Sequence, residues 1–245
     1  MSDNRISYIF YLISAKKEIK MLKIRNNMNA RPVLGVLFDL DGVVIDTEKL
    51  YTRFWREAAE ELGHPMTLEQ ALQMRSLGRG PSQEKLDSFF GPGVLDYDTL
   101  RARRIERMDA FIAVHGVEEK PGIRALLALL REKNIPCAIT SSSSVPLIRE
   151  HLGNLGLLDY FTALCSGKDV PKGKPAPDIY LHGAATIGVA PENCLAIEDS
   201  PAGIEAAWRA GCMAVIVPDQ DQPGEEVLSR SFAKADSLFD VMELL

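Results

Sequence analysis

The sequence predicts an α/β protein whose core is a doubly wound parallel sheet, interrupted by one helical insert. Over most of the chain, short apolar runs rich in β-branched residues alternate with helical segments, which is typical of parallel strands joined by right-handed crossovers. Residues 47–115 depart from this alternation, because their apolar residues recur at helical spacing and form no convincing strand. Several predicted strands lead into polar clusters, as in open parallel sheets that bind ligands beyond the carboxyl ends of their strands.

Four helices are predicted in the insert. Leu50, Phe54 and Leu62 belong to the apolar series of the first helix, which ends at a Gly-His-Pro sequence. Thr67 is a candidate N-cap of the second helix, and Ser82, after a flexible loop, is a candidate N-cap of the third. The fourth helix carries many charges on one face. The four predicted helices are residues 47–62, 67–74, 82–90 and 97–114.

The core elements flank the insert on both sides. Each predicted strand is a short apolar run, and most of the helices that follow begin near a proline. Ser144 is the candidate N-cap of the helix after the second strand, and Gly211 ends the helix after the fourth. The predicted strands are residues 32–38, 136–141, 163–166, 194–197 and 213–217. The predicted core helices are residues 123–133, 146–155, 177–187 and 201–210, followed by a helix and a tail.

Composition and charge restrict the class of protein. The composition is that of a soluble globular protein, and the formal net charge of −6 divides into +5 over residues 1–31 and −11 over the remainder. An acidic main body argues against nucleic acid as a partner. The 4 cysteines have no CxxC spacing and lie in or beside apolar runs, so we predict buried free thiols in a reducing compartment. No apolar segment reaches the ~18 residues of a membrane-spanning helix. We therefore expect a cytoplasmic monomer without stable membrane insertion.

Residues 1–31 are predicted to form an N-terminal extension outside the fold. Their apolar segment, residues 6–15, precedes a cluster of lysines, whereas a signal peptide carries its positive charge before the apolar run. A basic interfacial helix is an alternative. The sequence could also restart at Met28, just before the first core strand. We expect a dispensable extension, disordered or loosely helical.

Two carboxylates follow the first strand. An apolar run leads into Asp39 and Asp41, and Gly42 then allows the backbone to turn sharply. Because ligands bind beyond the carboxyl ends of parallel strands, both carboxylates are expected to face a site. Two buried carboxylates without partners would be costly, which indicates a cation or a phosphate-handling site. An ordinary Asp-Gly turn is the alternative on these residues alone.

The other strand ends carry complementary chemistry. Ser141 and Ser142 end the second strand ahead of a helix, where hydroxyl and backbone N–H groups suit an anion, although a serine-rich turn with an N-cap is the alternative. Lys174 stands between a glycine and a proline, so it is better positioned than a solvated lysine. Glu198 and Asp199 form a second carboxylate pair. Together these groups offer acceptors for a divalent metal and donors for a phosphoryl group, and hard oxygen ligands favour Mg²⁺.

These motifs resemble those of a known superfamily. Residues 38–42 (FDLDG), Ser141, Lys174 and residues 197–200 (IEDS) are similar to the four ordered motifs of the haloacid dehalogenase superfamily. The flanking sequences KPAPDIY and EDSPAGIEA resemble its β-phosphoglucomutase-like phosphatase branch. The resemblance covers about residues 33–220 and implies a Rossmann-like core with an inserted four-helix cap. It assigns residues 32–45 and 117–245 to the core and residues 46–116 to the cap.

The resemblance also implies a reaction and roles for individual residues. It implies a Mg²⁺-dependent phosphatase that hydrolyses a small phosphomonoester, such as a sugar or polyol phosphate, through an aspartyl-phosphate intermediate. Asp39 would be the nucleophile, and Asp41 would act first as general acid and then as general base. Ser141 and Lys174 would hold the phosphoryl oxygens. The implied metal ligands are Asp39, the backbone carbonyl of Asp41, Asp199, and Glu198 either directly or by orienting the other ligands.

Further contacts to phosphate or substrate are expected around these motifs. The expected residues are Leu40, Gly42, Thr47, Ser142 and Arg79. Thr47 either braces the hinge near Asp41 or simply caps a helix. Arg79 is a candidate cap contact together with Arg75 and Lys85, and a solvated surface charge is the alternative for each.

Two alternatives to a phosphatase stay open. β-Phosphoglucomutase has an assisting histidine in its first cap helix where this sequence has Tyr51, and its substrate-binding asparagine and cap-loop arginine have no clean counterparts here. These departures favour hydrolysis over a phosphosugar mutase. A non-enzymatic phosphoacceptor module would need neither Asp41 nor a cap. We interpret the four histidines as structural: His64, His115, His151 and His182.

Overall fold

The computed structural model describes residues 31–75, 77–219 and 222–245. The predicted extension, except for its last residue Arg31, lies outside the described residues. The strands are β1 (Gly35–Phe38), β2 (Cys137–Ser141), β3 (Ala163–Ser166), β4 (Cys194–Glu198), β5 (Met213–Ile216) and β6 (Ala233–Lys234). They form a parallel sheet in the order β3-β2-β1-β4-β5-β6. The predicted parallel α/β sheet is confirmed.

Helices cover both faces of this sheet. The helices between β1 and β2 are α1 (Glu48–Glu61), α2 (Leu68–Gln73), α3 (Arg79–Phe90), α4 (Tyr97–His115) and α5 (Ile123–Glu132). The later helices are α6 (Val145–Asn154), α7 (Asp178–Thr186), α8 (Pro201–Arg209), α9 (Glu225–Arg230) and α10 (Leu238–Val241). Helices α5 and α6 pack on one face of the sheet, and α7 and α8 pack on the other.

The central strand β1 shows why the core forms. Successive side chains of a strand point to opposite faces, so Val36 and Phe38 join the cluster with α5 and α6, while Leu37 joins the cluster with α7 and α8. All three side chains are fully buried. Burying each one contributes about 1.5–3 kcal/mol. An uninterrupted apolar run is therefore what a strand covered on both faces requires.

Two details of these elements differ from the sequence prediction. The strand β6 was not predicted, because two residues at a sheet edge are too short to show a period of two. The helix α3 begins at Arg79 after Gly78, so the prediction that Ser82 caps it is wrong. Ser82 lies inside the helix, and its buried hydroxyl has no hydrogen-bond partner among the residues that the structure describes. The predicted cap of α2 is confirmed, since Thr67 Oγ1 accepts the Gln70 N–H at 3.1 Å.

The helices α1–α4 leave and rejoin the core at one place. The Asp46 N–H donates to the Glu118 carbonyl at 2.8 Å, and the Lys120 N–H donates to the Val44 carbonyl at 2.9 Å. These helices also have a hydrophobic cluster of their own, which includes Trp55 and Leu100. We refer to α1–α4 as the cap. The domain boundaries predicted at 45/46 and 116/117 lie close to these two connections, and the cap as a separate domain stays a prediction.

The predicted buried thiols are confirmed. All four cysteines are free and buried: Cys137, Cys165, Cys194 and Cys212. In the part of the chain that the structure describes, no helix has both the length and the apolar character needed to cross a membrane.

Candidate active site

A cleft of about 280 Å³ lies between the cap and the carboxyl ends of the strands. Asp39 directly follows the central strand β1, and Glu198 and Asp199 lie at the end of its neighbour β4. Lys174 comes from the segment ahead of α7. Parallel strands end at a common edge, so residues 39 and 198, far apart in the sequence, become neighbours. The core also contributes Asp41, Ser142 and Ser200 to the lining. The cap and the connection between its helices α2 and α3 contribute eight further lining residues: Glu48, Tyr51, Trp55, Met74, Arg75, Leu77, Tyr97 and Arg104.

Lys174 joins the two carboxylate motifs. Its Nζ lies 2.6 Å from Asp39 Oδ1 and 2.5 Å from Glu198 Oε1. Glu198 Oε1 also accepts the Tyr180 hydroxyl, and Glu198 Oε2 accepts the Ser200 hydroxyl at 3.0 Å. Burial alone would lower the pKa of Lys174, but Asp39 and Glu198 outweigh burial and raise that pKa well above its usual value. The lysine is therefore a fixed positive charge beside Asp39.

Burial and the closeness of Asp39, Glu198 and Asp199 disfavour the ionised forms of the two aspartates, although Lys174 is beside them. Burial raises the pKa of Asp39 to about 8, with Lys174 opposing the rise and Glu198 adding to it. Burial, with Asp39 and Glu198 close by, also raises the pKa of Asp199 well above its usual value. A divalent cation at this position would favour the ionised form of both aspartates.

The donor set fits such a cation. One carboxylate oxygen from each of Asp39, Glu198 and Asp199 lies within 4.8 Å of the others. Two glycines leave room for these carboxylates. A Cβ on Gly42, whose φ is +81°, would lie 2.3 Å from Asp199 Oδ2, and a Cβ on Gly203 would lie 1.9 Å from Glu198 Oε1. Three carboxylates in a buried cluster suit a hard cation such as Mg²⁺.

Asp41 lies apart from this cluster and contacts Thr47. Thr47 Oγ1 donates to Asp41 Oδ1 at 2.7 Å, and Thr47 is 1% exposed. Thr47 precedes α1, but its side chain makes no capping hydrogen bond. Of the two interpretations of Thr47, the contact with Asp41 is therefore the one observed. Burial raises the pKa of Asp41, and the hydrogen bond from Thr47 opposes this rise.

The expected phosphate contacts occupy different positions. Ser142 lines the cleft, whereas Ser141 is buried at the end of β2, where its hydroxyl accepts the Ser143 N–H at 3.0 Å. The Leu40 side chain is fully buried, so only its backbone could contact a ligand. Arg79 does not line the cleft; its Nε bonds to Asp98 at 2.9 Å on the exposed first turn of α4.

Other arginines of the cap are better placed than Arg79 to contact a substrate in the cleft. Arg75 lines the cleft, with Nε 2.7 Å from Glu48 and Nη2 3.7 Å from Asp199. Lys85 instead bonds to Gln73 at 3.0 Å. Arg79 stays outside the cleft because it begins a new helix, α3, which directs its side chain away from the core.

Sequence reasoning missed Arg104. It lies on α4 four residues after Leu100 and four before Met108, and all three side chains are buried. An arginine inside the apolar stripe of a helix was the available signal, since the pattern requires an apolar residue at that position. Tyr180 was also missed as a site residue, although it belongs to the KPAPDIY sequence.

Comparisons with known proteins agree with this geometry. The model of the haloacid dehalogenase-like hydrolases matches residues 33–211. A protein from Bacillus subtilis named β-phosphoglucomutase is 36% identical over 195 residues, 77% of this chain and 84% of the relative. A Thermotoga maritima protein named phosphorylated carbohydrates phosphatase is 35% identical over 179 residues, 72% of this chain and 81% of the relative. The crystal structure of a hydrolase from Deinococcus radiodurans, with bound phosphate and sodium, has a TM-score of 0.73 at 27% identity and covers 89% of this chain and 99% of its own.

Proposed function

Because this chain belongs to the haloacid dehalogenase-like hydrolases, we propose that it is a Mg²⁺-dependent phosphatase of a small phosphorylated carbohydrate. Its family and its named relatives make it an enzyme that acts on phosphoric monoesters. The carbohydrate substrate is supported by two relatives, one named for phosphorylated carbohydrates and one for phosphoglucose. A cytoplasmic location and a monomeric state stay predictions.

One observation carries the proposal: a carboxylate beside a fixed cation faces the same cleft as a second, separately held carboxylic acid. Asp39 is bonded to Lys174, and Asp41, two residues further on, is bonded to Thr47. The first pair suits attack on a phosphoryl group, because Lys174 offsets the charge that three phosphoryl oxygens bring into the cleft. The second suits proton transfer, because the raised pKa of Asp41 favours a protonated acid at the start of the reaction.

The first half of the reaction transfers the phosphoryl group to the protein. A carboxylate oxygen of Asp39 attacks phosphorus, and the bond from phosphorus to the ester oxygen breaks. Asp41 gives its proton to the departing oxygen, so the alcohol leaves neutral and Asp41 becomes a carboxylate. We assign the binding of the transferred oxygens to Lys174 and Ser142, because both residues line the cleft.

The second half returns the protein to its starting state. Asp41, now ionised, takes a proton from a water molecule as that water attacks phosphorus and displaces Asp39. Inorganic phosphate leaves, Asp39 is again a carboxylate and Asp41 again an acid. When bound by Asp39, Asp199 and Glu198, Mg²⁺ supplies positive charge that offsets the repulsion between carboxylates and phosphoryl oxygens.

Phosphate release from sugar and polyol phosphates, measured with and without Mg²⁺, tests the proposal. We expect Asp39→Asn to abolish turnover while the circular dichroism spectrum stays unchanged. Asp109→Asn, an exposed aspartate of α4, is the matched control and should keep full activity. Turnover by Asp39→Asn at the wild-type rate would remove Asp39 as the nucleophile. Asp41→Asn should slow sugar phosphates more than aryl phosphates, because aryl leaving groups need less protonation.

A phosphosugar mutase is the second candidate, and the relative named β-phosphoglucomutase favours it. Tyr51 lines the cleft at the position where the mutase has a histidine. Incubation with β-glucose 1-phosphate separates the two activities. Isomerisation without net phosphate release would establish the mutase, and phosphate release without isomerisation the phosphatase. The non-enzymatic phosphoacceptor module is not retained, because the chain belongs to a hydrolase family.

A further inference from the structure

A salt bridge within the cap lies beside one carboxylate of the proposed metal site. Arg75 Nε is 2.7 Å from Glu48 Oε2, and Arg75 Nη2 is 3.7 Å from Asp199 Oδ2. The side chains of Arg75 and Asp199 are only 8% and 6% exposed, so water screens their charges little. Gly42 lets both carboxylates approach one place, because a Cβ there would lie 2.3 Å from Asp199 Oδ2 and 3.2 Å from Glu48 Cγ.

The two contacts of Arg75 differ in kind. At 2.7 Å its Nε makes a charge-assisted hydrogen bond with Glu48, whereas 3.7 Å from Nη2 to Asp199 is too long for a hydrogen bond. Arg75 therefore acts on Asp199 through its charge. Burial and the neighbouring carboxylates, Glu48 among them, raise the pKa of Asp199, and Arg75 opposes that rise. The members of the cap pair thus act on Asp199 in opposite directions.

The distance between Arg75 and Asp199 bears directly on metal binding. A shift of the guanidinium by about 1 Å would bring it to hydrogen-bond distance of Asp199. There it would occupy lone pairs of that carboxylate and bring its positive charge closer to a bound cation, and both effects disfavour Mg²⁺.

We propose that Glu48 is a positioning residue of the metal site: it holds the Arg75 guanidinium away from Asp199 and so keeps that carboxylate available to Mg²⁺. The side chain that performs this role belongs to the first turn of α1, whereas the three carboxylates of the site belong to the core. This inference rests on the Mg²⁺ site of the proposed function, and it adds a residue of the cap to that site.

Mg²⁺ titrated by calorimetry, without substrate, tests the inference on the wild type and three variants. Glu48→Gln should weaken Mg²⁺ binding about 10- to 100-fold, the range for groups that orient metal ligands, because Arg75 loses its anion and turns to Asp199. Arg75→Met should tighten Mg²⁺ binding, because it removes a positive charge beside Asp199. The double variant Glu48→Gln/Arg75→Met should bind within about 3-fold of the wild type, because neither charge remains.

A matched control and a folding check accompany these titrations. Glu60→Gln removes an exposed carboxylate near the other end of α1 and should leave the Mg²⁺ affinity unchanged. Circular dichroism checks that each variant folds. If Glu48→Gln does not fold, the affinities of the wild type, Arg75→Met and the double variant still decide the role of Glu48.

Three results would overturn the inference. The first is a Glu48→Gln variant that binds Mg²⁺ as tightly as the wild type. The second is an Arg75→Met variant that binds Mg²⁺ no more tightly than the wild type. The third is a double variant that stays about 10-fold or more weaker than the wild type, which would mean that Glu48 acts on the cation without Arg75. Failure of the phosphatase proposal looks different, since the wild type would then release phosphate from no sugar or polyol phosphate, and the Mg²⁺ titrations would still decide the role of Glu48.

Discussion

The hydrogen bond between Thr47 and Asp41 allows a sharp test of the proton-transfer step. In the proposed reaction Asp41 becomes a carboxylate as the leaving group departs, so a donor to that carboxylate stabilises the transition state. Thr47 Oγ1 is 2.7 Å from Asp41 Oδ1, and Thr47 is buried. Thr47→Val replaces the hydroxyl with a methyl group of similar size. We therefore expect a loss confined to steps in which Asp41 ionises.

The size of the effect follows from the geometry. A buried hydrogen bond to a charged group contributes about 1.5–3 kcal/mol, which corresponds to a roughly 10- to 150-fold lower rate. The assay compares kcat for glucitol 6-phosphate with kcat for p-nitrophenyl phosphate. The aryl ester should be slowed much less, because its leaving group departs with little protonation. Thr47→Ser, which keeps the hydroxyl, should stay close to the wild type.

Two results would refute this reasoning. An equal loss on both esters would mean that Thr47 acts on the fold or on binding and not on proton transfer. A Thr47→Ser variant as slow as Thr47→Val would mean that the methyl group, and not the hydroxyl, matters.

Gly203→Ala should destabilise the folded state by about 3–5 kcal/mol and abolish activity, because the new Cβ would lie 1.9 Å from a Glu198 oxygen and disrupt the buried pair with Lys174. Gly153→Ala, also in a helix but where an added Cβ would meet no atom within 4 Å, is the control for urea unfolding, and equal stabilities of the two variants would contradict the overlap. Without Mg²⁺, stability should fall as pH rises from about 4 to about 8, because Asp39 keeps its proton up to about pH 8 in the folded state but loses it near its usual 3.8 when unfolded. Added Mg²⁺ should therefore raise the melting temperature more at pH 8 than at pH 5. A free energy of unfolding that increases with pH in the presence of chelator would refute the raised pKa of Asp39 in the folded state.

Much of the core was predictable because its signals are local. The apolar run of β1 and the turn at Gly42 are encoded within a few residues, and so are the carboxylates that follow. Their meeting with Lys174 and Glu198 could also be expected, because parallel strands end at one edge of a sheet. The two-residue strand β6 gave no such signal.

The cap could be predicted only as helices. Its helical periodicity indicates which residues are helical and which of them are apolar, but four arginines of α4 alone are equally plausible cleft residues from the sequence. The packing of α4 against α1 buries Arg104 between Tyr51 and Trp55. The turn that starts α3 leaves Arg79 in solvent with Asp98.

The sequence by itself therefore determined the first five strands of the sheet, the four motifs and the chemistry that those motifs can perform. Only the tertiary structure decided that Thr47 contacts Asp41 instead of capping α1, and that Arg104, not Arg79, reaches the cleft. The physical reason is range. Strand formation and turns depend on neighbours in the chain. The direction of a helical side chain depends instead on how its helix packs against others. Successive side chains of a helix point about 100° apart around the axis, so a shift of one position changes which side chain reaches the cleft.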